Sequence, residues 1–141
     1  MNTGIGPVLK YPGAKWNMAE WIISHIPPHR VYLEPFFGSG AVFFSKSPSK
    51  FETINDLDDN VVNFFKVLRE RPLELAEMVR FTPWARKEYT SVLPKTCGDG
   101  TFILTGVELE DARRILVRMH MGYGSKTSDR TGWRNEPSGK G

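Results

Sequence analysis

At 141 residues, with 40% hydrophobic and 25% charged side chains, the chain has the composition of one globular domain, not of a disordered segment. No apolar run reaches the roughly 18–20 residues of a membrane span, MNTGIGPVLKYPG lacks a signal-peptide core, and the lone Cys97 excludes an internal disulfide framework and argues against a zinc cluster, so a reducing cytoplasm is expected. The formal charge of +3 is uneven: Ala112 to Gly141 carries seven Lys/Arg against two Asp/Glu, which suits a polyanionic partner or, equally, a solvated surface segment.

In chain order, a loop from Leu9 to Trp16 holds Pro12 and Gly13 and leads into an amphipathic helix. Met18, Trp21, Ile22, His25 and Ile26 share one face of it at i, i+3, i+4 spacing, and Pro27-Pro28 ends it. A short strand is predicted over Val31 to Glu34, then the turn Pro35-Phe36-Phe37-Gly38-Ser39-Gly40. A helix should start near Ser39 and run through Ala41, Val42 and Phe44. A second strand, Phe51 to Asn55, ends at Asp56, Asp58 and Asp59.

Val61, Phe64, Phe65 and Leu68 line one face of the next helix, with Asp58 as its expected N-cap. Pro72 starts another helix to about Arg80, and Thr82-Pro83 reads as cap plus first-turn proline of a further short one. After the Gly98-Asp99-Gly100 turn, a helix is predicted from about Glu108 to Met121 with Leu109, Ala112, Leu116 and Met119 inward. Gly122 to Gly141 reads as a loop or tail. Strands alternating with helices indicate an α/β unit with a parallel sheet.

VYLEPFFGSGAVFF is the centre of the sequence. An apolar strand feeding a Gly-x-Gly turn that opens a helix is either a tight connection or a nucleotide cradle. Gly38 and Gly40 lack Cβ, which permits a sharp turn and close approach of a ligand. Asp56, at the end of the following strand, is placed to accept ribose hydroxyl hydrogens. A dinucleotide fingerprint requires a third glycine at position 43, and Phe43 stands there. That residue argues against a nicotinamide dinucleotide and for S-adenosylmethionine, a ligand with no pyrophosphate to seat.

KYPGAKW (Lys10 to Trp16), EPFFGSGAVFF (Glu34 to Phe44) and INDLDDNVVNFF (Ile54 to Phe65) resemble, in order and spacing, three motifs of Dam-type (D12 class) DNA adenine-N6 methyltransferases, phage-encoded members in particular. ARRILVRMHMGYGSKTSDRTGWR (Ala112 to Arg134) is similar to the helix and loop that lead into that family's DNA-facing region. The resemblance implies a Rossmann-like methyltransferase fold and S-adenosylmethionine as cofactor. Tyr11, Lys15 and Trp16 would line its methionine end, with Lys15 meeting the ligand carboxylate as a point charge. Glu34 would orient the pocket or meet the ligand amino group. Pro35, Phe36, Phe37, Gly38, Ser39 and Gly40 would form the floor, Asp56 would hold the ribose, and Leu57 would pack on adenine. Lys126, Arg130 and Arg134, with Tyr123 and Trp133 among them, would contact duplex DNA phosphates. For Arg113, Arg114 and Arg118 on the preceding helix, pairing with Glu110 or Asp111 competes with that role.

Family chemistry rests on an Asp-Pro-Pro-Tyr motif that accepts the adenine amino hydrogens and stacks on the flipped base. No such run occurs; Pro27-Pro28 lies between Ile26 and His29, so no catalytic residue is assigned. The expectation is a cofactor-binding part over residues 1–111, a helix and basic loop over 112–141, and a sheet lacking its later strands. Its open edge would be covered by a dimer partner or second chain. The sequence reads as a truncated methyltransferase, of restriction-modification or phage type, inactive by itself. The alternative is a remnant that binds cofactor or DNA without catalysis.

Overall fold

The computed structural model describes residues 6–93, 103–123 and 132–134. Cys97 and the Gly98-Asp99-Gly100 turn lie outside these residues. Two parallel strands, β1 (Val31–Glu34) and β2 (Phe51–Ile54), pair in the register Val31–Phe51 to Glu34–Ile54. Helix α2 (Ala41–Ser45) connects them, so the chain is a mixed α/β unit. The other helices are α1 (Ala19–Ser24), α3 (Asp59–Glu70), α4 (Pro72–Arg80), α5 (Arg86–Ser91) and α6 (Glu108–Met121). No helix among the described residues is long and apolar enough to cross a membrane.

Local chemistry explains most boundaries. Asp58 has extended backbone and accepts from Asn60 N at 3.0 Å, the N-cap that starts α3. Pro72 occupies the first turn of α4, where its missing N–H is not needed. Asp111 caps the Thr105-Gly106 approach to α6, accepting from Thr105 N at 3.0 Å and Gly106 N at 3.2 Å.

The core lies between α3 and α6, with α4 packed on both. Leu9, Phe37, Val61, Phe64, Phe65, Val67, Leu75, Ala112, Ile115 and Met119 are buried together. Each large side chain buried there stabilises by about 1.5–3 kcal/mol. Phe37, Phe43, Phe44 and Phe65 interlock; the Phe37 and Phe65 rings meet edge-on at 4.7 Å. A satellite cluster of Tyr89, Val92, Val117 and Met121, with Trp84 and Trp133 against it, holds α5 on α6.

Three expectations change. Met18, Trp21 and His25 are exposed, and Ala19 is the buried residue of α1. A 3₁₀ turn over Trp16–Met18 winds the entry at three residues per turn and shifts the buried stripe, leaving Trp21 stacked on His25 at 4.5 Å. Thr82 does not cap the following helix: its hydroxyl donates back to Met78 O at 2.8 Å, and α5 begins at Arg86 after Ala85. The region past α6 is not all loop, since Gly122 and Trp133 form an antiparallel bridge, with Tyr123 N donating to Gly132 O at 2.8 Å.

Both strands keep an unpaired edge among the described residues. Val31, Leu33 and Phe51, on one face of the sheet, are each more than half exposed. A groove of about 660 Å³ runs along β2 beneath α3, lined by Phe44, Ile54, Val61, Val62 and Phe65 among others.

Candidate functional site

Two loops meet at the C-terminal ends of the strands. The first is a tight turn: Pro12 and Gly13 (φ +72°) occupy its centre, and Ala14 N donates to Tyr11 O at 3.2 Å. Leu9, fully buried, anchors it to the core, and Trp16 Nε1 ties its far end to Ser39 Oγ at 2.9 Å. The second is the glycine turn after β1. Asn55 N donates to Glu34 O at 2.9 Å and Phe37 N to Asn55 O at 3.0 Å, which extends the strand pairing past β1 and β2. Asp56 then closes the turn: Oδ2 accepts from Gly38 N at 2.7 Å and Oδ1 from Asp58 N at 3.0 Å.

Between the loops is a cleft of about 210 Å³. Tyr11, Lys15, Glu34, Phe36, Phe37, Gly38, Ser39 and Asp56, eight of the residues expected at a cofactor site, border it. Trp16, Pro35, Gly40 and Leu57 do not border it. Trp16 acts behind it through Ser39, and Leu57 is 92% exposed. Pro12, Gly13, Ala14, Ala41 and Val42 also line the cleft. Sequence reasoning passed over them because small residues contribute wall through backbone, and nothing in their side chains signals a ligand.

The two glycines serve different ends. At Gly38 (φ +52°) a Cβ would lie 3.2 Å from the Tyr11 ring, which borders the cleft. At Gly40 (φ +69°) it would strike Phe44 and Phe37 in the core. Gly40 therefore admits an aromatic cluster.

The site's charges are unusual for its size. Burial pushes the Glu34 carboxyl above the ordinary range, against the hydrogen bond from Tyr32 Oη (2.9 Å) and the pull of Lys15. Burial, then the charges of Asp58 and Asp56, push Tyr11 up to about 12, so its hydroxyl stays protonated and bonds to Asp58. Two carboxylates and one lysine around a glycine turn can complement hydroxyls and both charge signs, and repel a polyphosphate more than they attract it.

The basic region is partly committed internally. Arg113 makes two 2.8 Å hydrogen bonds to Glu110 and pairs with Glu88, while Arg114 Nε meets Glu110 Oε1 at 3.0 Å. Arg118 is buried. Arg113 thus ties α6 to α5 and Arg118 ties it to α3, while Arg114 pairs within α6. The Arg134 guanidinium lies over Tyr123 at 5.6 Å, and its carbonyl accepts from Trp84 Nε1 at 3.1 Å. Lys126 and Arg130 lie outside the described residues.

Residues 11–93 match the family model of the D12 class N6 adenine-specific DNA methyltransferases. The chain is 30% identical over 121 residues to a type II methyltransferase, M1.LlaDCHI, of Lactococcus lactis subsp. cremoris, covering 83% of this chain and 41% of that protein. It is 33% identical over 64 residues to a DNA adenine methylase of Vibrio cholerae serotype O1, covering 45% of this chain and 23% of that one. The DNA N-6-adenine-methyltransferase of Escherichia phage P1 is 32% identical over 62 residues, 44% of this chain and 8% of that protein. The chain therefore spans less than half the length of these curated relatives.

Proposed function

Since the chain belongs to the D12 class N6 adenine-specific DNA methyltransferases, we propose that its cleft binds S-adenosylmethionine for transfer to adenine N6 in duplex DNA. The observation that carries this reading is the convergence of Tyr11, Lys15, Glu34, Gly38 and Asp56 on one cleft. The residues fit the ligand. Each Asp56 oxygen uses one acceptor site on a backbone N–H and keeps another for a ribose hydroxyl. Lys15 matches the ligand carboxylate, and Glu34, partly desolvated, gains most by meeting an ammonium group. Phe36, 75% exposed at the rim, offers an apolar face to the adenosyl group. The cleft is smaller than the roughly 300 Å³ of typical ligand sites, so part of the ligand would extend past Asp56 toward exposed Leu57.

The bound cofactor would supply a methyl group on a sulfonium sulfur. The chain's own part is to orient it: Asp56 and Gly38 fix the nucleoside end, Lys15 and Glu34 the amino-acid end, and Tyr11, held by Asp58, closes one wall. Arg134, with Lys126 and Arg130, would contact DNA phosphates, which position the duplex without reading sequence. The fold would be the cofactor half of a Rossmann-like methyltransferase sheet. Its exposed Val31, Leu33 and Phe51 face and free strand edges would be covered by a further chain. A cytoplasmic, DNA-modifying setting follows from the substrates.

A second reading is favoured by one observation: none of the 141 residues forms the Asp-Pro-Pro-aromatic acceptor for adenine. On that reading the chain binds cofactor or DNA without catalysing transfer. Calorimetry with S-adenosylmethionine and a radiolabelled methyl-transfer assay on adenine-containing duplex separate the two. Binding together with transfer by this chain alone excludes the second reading. Binding that withstands Asp56→Ala in a folded protein removes the cleft from consideration.

A further inference from the structure

Arg118 projects from α6 into the interior and is 6% exposed. A buried guanidinium is costly, and replacing it together with the polar groups it meets by well-packed apolar side chains would commonly be neutral or more stable. What it touches suggests why it is there. Its Nη2 donates to Asn60 Oδ1 at 3.1 Å. An arginine has donors only, so it can meet only the oxygen end of the Asn60 amide. That turns the amide nitrogen toward Asp58, whose Oδ1 accepts from Asn60 Nδ2 and Asn60 N, each at 3.0 Å. Asp58 in turn bonds the Tyr11 hydroxyl, while its backbone N–H donates to Asp56 Oδ1 at 3.0 Å. Asp56 Oδ2 receives Gly38 N at 2.7 Å. A continuous hydrogen-bonded chain thus runs from the middle of α6, through the first turn of α3, to both walls of the cleft. Burial pulls the Arg118 guanidinium down to about 10, and the charge of Asp58, beyond Asn60, opposes that shift.

We propose that Arg118 is a positioning residue for the cleft: by setting the Asn60 amide it holds Asp58, and through Asp58 it orders Asp56 and Tyr11 for the adenosyl ligand. This rests on the cofactor reading above and extends it. The cleft is thereby joined to α6, whose C-cap Gly122 bridges to Trp133.

The test uses the full chain and S-adenosylhomocysteine as probe, with affinity read by calorimetry and unliganded stability by thermal melting. Arg118→Met should weaken binding about tenfold, the scale of coupling carried by such networks, and should also lower the unliganded melting temperature, because Asn60 Oδ1 loses its donor. Arg118→Lys should recover part of the affinity. Asn60→Asp, which keeps a partner for Arg118 but presents a carboxylate to Asp58, should weaken binding similarly and serves if Arg118→Met does not fold. In an Asp58→Ala background, Arg118→Met should cost nothing further. Affinity within about twofold of wild type for both Arg118→Met and Asn60→Asp, or an undiminished loss in the Asp58→Ala background, overturns the proposal. If the unaltered chain fails to bind the probe, or Asp56→Ala binds it normally, the cofactor reading itself falls and takes this inference with it. A loss in Asp56→Ala but not in Arg118→Met sinks only the role of Arg118.

Discussion

Gly40→Ala separates folding from ligand binding at the glycine turn. The residue sits at φ +69°, and an added Cβ would lie 2.5 Å from Phe44 Cε2 and 2.7 Å from both Phe44 Cδ2 and Phe37 Cζ. The left-handed backbone costs an alanine about 1–2 kcal/mol. Forcing a methyl group into an interlocked aromatic cluster costs roughly 1–3 kcal/mol more. Alanine's smaller unfolded-state entropy returns about 0.4–1 kcal/mol. The net loss is therefore about 1–4.5 kcal/mol, a substantial share of the roughly 5–15 kcal/mol that holds a domain folded. In urea, with a slope of about 2 kcal/mol per molar, the midpoint should fall by about 0.5–2 M without a change in slope. The folded fraction should retain its affinity for the adenosyl ligand, because this Cβ points into the core. Gly38→Ala is the counterpart: its Cβ would press the Tyr11 ring at 3.2 Å. It should lose ligand affinity while costing only about 1–2 kcal/mol of stability. A midpoint shift below about 0.3 M for Gly40→Ala, or a larger affinity loss there than at Gly38, would refute the division.

Asp56→Ala should weaken S-adenosylmethionine binding by about 1–3 kcal/mol in calorimetry, the scale of a lost hydrogen bond to a charged group. It should also lower stability, because Gly38 N and Asp58 N lose their acceptor. Arg113→Met removes the link from α6 to Glu88 on α5 and should cost about 1–2 kcal/mol in urea titration near neutral pH. Arg113 is the largest cause that lowers the Glu110 carboxyl, so that stabilisation is present above the ordinary glutamate range and is lost as pH falls through it. The gap between wild type and Arg113→Met should narrow in acid, and a gap that widens there would contradict the assignment. Glu34 is raised chiefly by burial, so its stability contribution is full in acid and lost as pH rises through its folded value. Glu34→Gln should therefore melt above wild type at neutral pH and level with it in acid, while binding ligand less well; equal melting at both pH values would show that ionised Glu34 carries no penalty.

Local chemistry made much of this legible before any coordinates. The strands Val31–Glu34 and Phe51–Ile54, the Asp58 cap, the Pro72 start and the helix Glu108–Met121 follow from side-chain period and from which residues satisfy helix ends. The lysine, carboxylates and glycine of the cleft were recognisable because their chemistry is rare enough at strand tips to carry meaning. The small residues of its wall were not, and neither was the different duty of Gly40, since two glycines two positions apart carry the same signal in one dimension.

What the amino-acid order determined by itself is therefore the set of elements and which charged and glycine residues stand at the strand tips, both governed by interactions within a few residues. Tertiary structure alone decided which partner each side chain meets. It placed Trp21 outside and Arg118 inside against Asn60, and joined Arg113 to Glu88 on α5. Periodicity assigns a residue to one side of its own helix. Whether solvent, a carboxylate or an aromatic ring waits there depends on segments tens of residues away, brought close only by burial of the shared core.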